Sequence, residues 1–221
     1  GHLAGQANGT DWETLVEERI FKPLEMTSSS LSVTQSQASA NHALPYEMAD
    51  LKSDERKQVP FRNIDTIGPA GSINSNVLDM ANWLIMNLGG GKFKERQVIS
   101  EAALAEIQSA QMPLIPAAMM FPPWEKHPEV GQASYGFGWF VQQYRGRRWL
   151  HHGGAIDGFI AFVSFLPQEN LGVVVLSNLG GRMVAPIIAC NAQDRLMGLE
   201  PLDWNTPWRE FYAKAIEEVD K

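Results

Sequence analysis

From residue 134 to residue 177 the apolar positions recur with a period of two, and nothing else in the chain narrows its fold as much. Successive strand residues face opposite sides of a sheet, so the pattern reads as strands that bury one face. Tyr135–Tyr144 and Arg147–Leu150 bracket a turn at Gly146 and read as a hairpin. Phe159–Leu166 and Gly172–Ser177 flank a Pro167–Asn170 turn and read as a second, apolar enough to be covered on at least one face. Met183–Leu196 then reads as a packed helix that tolerates Pro186 only in its first turn.

The first half follows the helical period instead. Thr10 and Glu13 fit a capping box, and Leu15, Val16, Ile20 and Phe21 follow at helical spacing until Pro23 ends the helix. Residues 27–65, rich in Ser, Asn, Gln and Asp, read as a long surface excursion with short strands at most. Asn76 or Ser75 caps the next helix, with Asp79 in the first turn where the dipole favours an anion. Its apolar face is Val77, Met80, Ala81, Leu84, Ile85 and Leu88, and Gly89-Gly90-Gly91 stops it. A third helix runs from Ser100 to about Gln108, and prolines including Pro113, Pro116, Pro122 and Pro123 make residues 112–134 a loop. Asp203–Lys221 reads as an amphipathic tail helix anchored by Trp204, Trp208, Phe211 and Tyr212. The expected class is α+β of the α/β sandwich type, an antiparallel sheet flanked by helices. Residues 1–134 are mainly helix and loop, 135–200 strands plus a helix, and 201–221 the tail.

Composition removes several function classes. With 18 Lys+Arg against 25 Asp+Glu the net charge is −7, and the one basic run, Arg145–Arg148, is short. A phosphate backbone is gripped by clustered cations, so nucleic acid is excluded as a partner. No stretch approaches the roughly 18–20 apolar residues of a membrane-spanning helix. A single cysteine, Cys190, rules out an internal disulfide and a cysteine-rich zinc site, and its apolar setting reads as a buried, inert thiol. The redox compartment stays open. Gly1 is not an initiator Met and no signal-type core follows it, so the chain reads as cut from something longer.

The densest chemical signal is Trp149-Leu150-His151-His152-Gly153-Gly154-Ala155-Ile156-Asp157-Gly158-Phe159, placed where one strand ends and another begins. Glycines let a substrate approach the backbone, and exposed N–H groups there can stabilise an oxyanion. A histidine beside them can move a proton near neutral pH or hold a carboxylate. The plain alternative is a Gly-rich hairpin with two solvent-facing imidazoles. Adjacent strand residues point to opposite faces, so His151 and His152 cannot easily share a zinc ion. His42 and His127 lie in loops, and Ser72 and Ser177 lack a Gly-x-Ser-x-Gly context, so all four read as structural. Asp157 suits an Asx bond within its turn. Phe121, Trp124 and Trp139 could line a side-chain pocket, although packing explains them as well.

His152-Gly153-Gly154 followed by Asp157-Gly158-Phe159 resembles the third motif of the penicillin-recognising serine hydrolases, in its His-x-Gly form. That superfamily includes class C β-lactamases, DD-peptidases, D-aminopeptidases and β-lactamase-like esterases. Trp12-Glu13 through Ile20-Phe21-Lys22-Pro23-Leu24-Glu25-Met26 is similar to its "W-E…I-F-x-P-L-G-M", with Glu25 in place of Gly. Gly68-Pro69-Ala70-Gly71-Ser72 running into Ser75-Asn76-Val77-Leu78-Asp79-Met80-Ala81, and Tyr135-Gly136-Phe137-Gly138-Trp139, resemble two further motifs in the right order.

The resemblance implies serine attack on an amide, peptide, β-lactam or ester bond through an acyl-enzyme, with no metal or organic cofactor. His152 would take the place of the motif's Lys, Gly154 would keep the strand edge open, and the Ala155 N–H would be half of the oxyanion hole. Gly153, Asp157 and Gly158 would line the substrate, a small molecule or peptide. His151, one residue outside the motif, should face away. Two family motifs are not in this chain: none of its eight lysines has Ser three residues before it, and none of its four tyrosines has Asn two residues on. The economical expectation is an N-terminal segment carrying both motifs, absent here, with His152 to Ala155 contributed by this chain. A non-catalytic module of the same fold is the competing reading. A sheet lacking its neighbours would leave apolar faces and edges open, which predicts self-association. The resemblance leans toward an extracytoplasmic compartment.

Overall fold

The computed structural model describes residues 1–49, 54–114, 127–181 and 184–219. Its centre is a six-stranded antiparallel sheet. In chain order the strands are β5 (Met112–Pro113), β6 (Ser134–Tyr135), β7 (Phe140–Tyr144), β8 (Arg147–Ile156), β9 (Phe159–Leu166) and β10 (Leu171–Ser177). Each pairs with its sequence neighbours, giving the spatial order β10-β9-β8-β7-β6-β5. Two short hairpins lie outside this sheet: β1 (Tyr46–Met48) with β2 (Arg56–Gln58), and β3 (Lys92–Phe93) with β4 (Arg96–Gln97). The α+β class is therefore as the period of two implies.

Helices cover both faces. On one side α4 (Val77–Leu88) packs through Leu84 and Leu88 onto Trp139, Leu150 and Phe165. On the other, α6 (Val184–Leu196) brings Ala185, Ala189 and Cys190 against Trp149, Ile160 and Phe162. Trp204 and Trp208, the latter in α7 (Thr206–Val219), close that layer. A third apolar cluster ties α2 (Trp12–Val16) and the π-helical turn Glu17–Phe21 to α4 through Phe21, Leu24 and Met86. The remaining α-helices among the described residues are α1 (His2–Ala7), α3 (Val33–Ala38) and α5 (Glu101–Ile107).

Asn76 caps α4, its Oδ1 accepting from Leu78 and Asp79 N–H groups, and Ser100 caps α5. Cys190 is fully buried, and burial pushes its thiol pKa up. Behind the sheet the Asp194 carboxylate accepts Tyr144 Oη at 2.7 Å and Trp204 Nε1 at 2.8 Å, and pairs with Arg145 Nη1 at 3.0 Å. Three donors converge on one buried anion, so its charge is compensated.

Several details differ from the sequence reading. Asp11, not Thr10, caps α2, accepting the Thr14 N–H at 2.6 Å, because Asp11 directly precedes the first helical residue and its carboxylate reaches the N–H of the third. Helix α1 and helix α3 arise in stretches whose polarity hides any period. Tyr135–Tyr144 is not one strand: Gly138, with φ of 86°, turns the chain between β6 and β7. The sheet also recruits Met112–Pro113 from the stretch read as loop. Phe121 and Trp124, proposed as pocket residues, lie outside the described residues, as do Met183 and the last two residues of the tail.

Candidate active site

The main correction to the sequence reading concerns where His152 sits. The strand does not end at the histidines: β8 runs on through Gly153, Gly154 and Ala155 to Ile156, paired with β9 throughout. Arg145 and Gly146 join β7 to β8 with φ of 51° and 79°, both positive as a type I′ turn requires. The hairpin closes on Tyr144–Arg147, and bonded pairs alternate from there, so Phe140–His151 is again a bonded pair. By the same alternation His152 and Gly154 turn their main-chain groups to β9, whereas Gly153 and Ala155 turn theirs to the β7 side. The Gln143 carbonyl, which this alternation points away from β8, is found accepting Gly131 N–H at 2.8 Å.

That side is open, because β7 begins at Phe140, opposite His151. Past that pair, no strand among the described residues lies beside the outer edge of β8. The Ala155 N–H and C=O therefore sit on an edge that no strand pairs among the described residues, with Ala155 and Gly154 exposed. A Cβ on Gly154 would meet only the Ala161 methyl, at 3.7 Å, so the surface over it is unobstructed.

His152 lies on the same face as Gly154 and is half-buried. Its Nδ1 contacts the Gly153 carbonyl at 2.7 Å and its Nε2 contacts Tyr135 Oη at 3.1 Å. Phe140 supports both rings, 5.0 Å from Tyr135 and 5.5 Å from His152. His151 is its opposite. It is 1% exposed, sandwiched among Phe140, Trp149 and Phe162, and its Nε2 donates to Gln142 Oε1 at 2.6 Å. Burial, and secondarily the neighbouring His152, lower its pKa to about 3, so it is neutral at any ordinary pH.

Asp157 and Gly158 form the turn at the far end of β8. The Asp157 carboxylate takes Arg62 Nε at 2.7 Å, tying the turn to a neighbouring segment where the sequence suggests an Asx bond inside it. Gly158 is buried with φ of 79°, and a Cβ there would lie 2.4 Å from Pro45 Cβ. Its role in the structure is to admit Pro45 and Tyr46. Ser72 is buried with no hydrogen-bond partner for its Oγ among the described residues, and Ser177 Oγ accepts the Leu179 N–H. His127 lies against Trp204 at 4.3 Å, and burial lowers its pKa.

Sequence reasoning missed Tyr135 and Arg62 as neighbours of the motif. Tyr135 was visible only as a member of Tyr-Gly-Phe-Gly-Trp, since its contact with His152 spans 17 residues and a strand. A concavity of about 300 Å³ lies elsewhere, between α6 and α7. Its described lining, which includes Val184, Ile187, Trp208 and Tyr212, carries no Ser, Cys, His, Lys, Asp or Glu, whereas the β8 edge carries His152. Among the described residues no group of three or more His, Cys, Asp or Glu is placed to hold a metal ion, and no helix is long and apolar enough to cross a membrane.

The family model described as "Beta-lactamase" matches residues 1–189. The chain belongs to the β-lactamase family. This β-lactamase-family chain is similar to a protein named unguisins hydrolase from Aspergillus violaceofuscus, 29% identical over 238 residues, covering 99% of this chain and 40% of that protein. In structure it is similar to an octameric penicillin-binding protein homologue from Pyrococcus abyssi, with TM-score 0.70 and 22% identity over 88% of this chain and 39% of the other. A class C β-lactamase matches with TM-score 0.61 and 17% identity, covering 92% of this chain and 55% of that one. The chain thus spans about two fifths of the length of the first curated relatives it matches.

Proposed function

We propose that the open edge of β8 is one wall of an acyl-transfer site, and that these residues supply a serine hydrolase with its His-x-Gly motif and half of its oxyanion hole. The observation that carries this is the Ala155 N–H, which no strand pairs among the described residues, fixed by the β8–β9 ladder beside a doubly anchored His152. A donor held by a ladder needs no reorganisation as charge develops on a substrate oxygen, and losing one such donor costs about 10²–10³ in rate. The Ala155 carbonyl on the same edge can accept an amide N–H of the acyl portion, which favours amide, peptide or β-lactam substrates, with esters as the simpler case. Gly154 keeps that edge approachable, Gly153 lends its carbonyl to His152, and Asp157 and Gly158 shape the end of it.

This sequence has no Ser-x-x-Lys and no Tyr-x-Asn. The reading therefore assigns the serine to a segment outside these 221 residues. The same observation favours a second reading, a non-catalytic module of this fold. The apolar outer edge of β10, unpaired among the described residues, and the octameric state named for the Pyrococcus abyssi homologue support self-association as well.

Intact mass after exposure to a fluorophosphonate is the first test. No adduct is expected on this chain alone, and a stoichiometric adduct would show a complete hydrolase and overturn the assignment. Co-expression with a segment carrying the two motifs should then create amidase or esterase activity that His152→Ala abolishes. Activity indifferent to His152→Ala refutes the site, and continued inactivity supports the module.

A further inference from the structure

We infer that Tyr135 is the positioning residue of His152, and that the Tyr-Gly-Phe-Gly-Trp segment is built to deliver its hydroxyl. The inference rests on the reading of His152 given above and adds a residue to that site. A carbonyl oxygen only accepts, so the contact of His152 Nδ1 with Gly153 O, at 2.7 Å, places the proton on Nδ1. A neutral imidazole has one N–H, so Nε2 is left as an acceptor, and the hydroxyl 3.1 Å away donates to it. Tyr135 and the Gly153 carbonyl thus hold opposite sides of one ring, fixing both its tautomer and its orientation over the open edge.

The backbone around Tyr135 is pinned from several sides. Its carbonyl accepts Gln111 N–H at 3.0 Å, the Phe137 N–H reaches Ile107 O at 3.2 Å, and Gly136 N–H reaches Trp139 O at 2.8 Å. A Cβ at residue 136 would lie 2.6 Å from Ser109 O and 2.8 Å from Ile107 O, so only glycine lets the segment seat against the end of α5. Gly138, with φ of 86°, then makes the turn into β7, and Trp139, 5% exposed, locks it edge-on against Phe165 at 4.9 Å. Phe137, by contrast, is 62% exposed. All five residues of the motif therefore serve the placement of one hydroxyl, Phe137 through its N–H and not its side chain.

Two-bond ¹H–¹⁵N NMR of the histidines, recorded on the 221-residue chain at a pH where His152 is neutral, reads this directly. The expected wild-type spectrum has a protonated Nδ1 and a bare, hydrogen-bonded Nε2. Tyr135→Phe should raise the Nε2–H tautomer of His152 about fivefold relative to Nδ1–H, the shift expected for one ordinary hydrogen bond. Phe137→Ala should leave the ratio as it is, and the His151 signals should stay those of an Nε2–H ring in both variants. A wild-type His152 protonated on Nε2, or a ratio unmoved by Tyr135→Phe, overturns the inference. The readout needs no turnover, so it separates from the hydrolase reading: a correct tautomer with no activity in the co-expressed protein would refute only the latter.

Discussion

Lowering the pH should destabilise this protein well before its carboxylates are protonated, and His151 is the reason. The ring is 1% exposed, packed against three aromatic side chains, and its pKa falls to about 3 from 6.5 because burial penalises the imidazolium. The unfolded chain takes up a proton near pH 6.5 that the folded chain refuses until about pH 3. Between those limits the unfolded state binds more protons, so stability is complete above about pH 6.5 and is lost as the pH falls. At 1.36 kcal/mol per pH unit of full difference, the loss from pH 7 to pH 4.5 is about 2.5 kcal/mol. For a chain of this size that lowers Tm by about 5–10 °C. The matching variant is His151→Phe, whose ring suits the aromatic sandwich but leaves Gln142 Oε1 without its donor, lowering stability at every pH by about 1–3 kcal/mol. Urea unfolding from pH 8 to pH 4.5 should show a steep decline in the wild type and a flatter one in the variant. His127, whose pKa is also lowered, is present in both chains and cancels in the difference. Parallel stability curves for the two proteins would refute the reasoning.

The buried anion behind the sheet gives another expectation. Asp194→Ala strips the acceptor from Tyr144 and Trp204 and the counter-charge from Arg145, and should cost roughly 3–5 kcal/mol, read as a fall in urea midpoint with β-sheet circular dichroism retained below it. A pair of glycines with the same φ of 79° separates backbone strain from close packing. Gly146→Ala has nothing within 4 Å of the new methyl and should cost about 1 kcal/mol, whereas Gly158→Ala drives that methyl to 2.4 Å from Pro45 and should cost at least ~2 kcal/mol more by the same titration.

Strands β9 and β10 and helices α4, α5 and α6 were legible because their periods are clean and, in α4 and α5, their caps are short-range: Asn76 and Ser100 act within three residues. What stayed hidden depends on contacts between distant segments. Nothing local to His152 shows that β7 stops at Phe140, and it is this stop that frees the Ala155 edge. Tyr135 is separated from His152 by a whole hairpin strand, so its hydroxyl could be paired with the ring only once β6, β7 and β8 lay side by side. Asp157 fits a turn-capping role on sequence alone, and Arg62, nearly a hundred residues earlier, takes its carboxylate instead. Conversely, the opposite facing of His151 and His152 followed from strand geometry without any tertiary knowledge.

That opposition carries an argument about how the site is specified. Two chemically identical side chains, adjacent in sequence, are driven into different states by the register of one strand: a one-residue slip of β8 would exchange them, burying His152 and exposing His151. The register is held by features outside the motif. His152 lies six residues from each turn glycine, Gly146 and Gly158, and the positive φ at both turns admits one loop length on either side. Trp149 and Leu150, both fully buried on opposite faces, make a slip costly in the two cores at once. The identity of the solvent-accessible histidine is thus set by turn and core residues that never touch it, and substitutions at Gly146 or Gly158 that loosen the turns should broaden the NMR signals of both histidines together. Broadening of His152 alone would show that its position depends on Tyr135 and Gly153 rather than on the register of the strand.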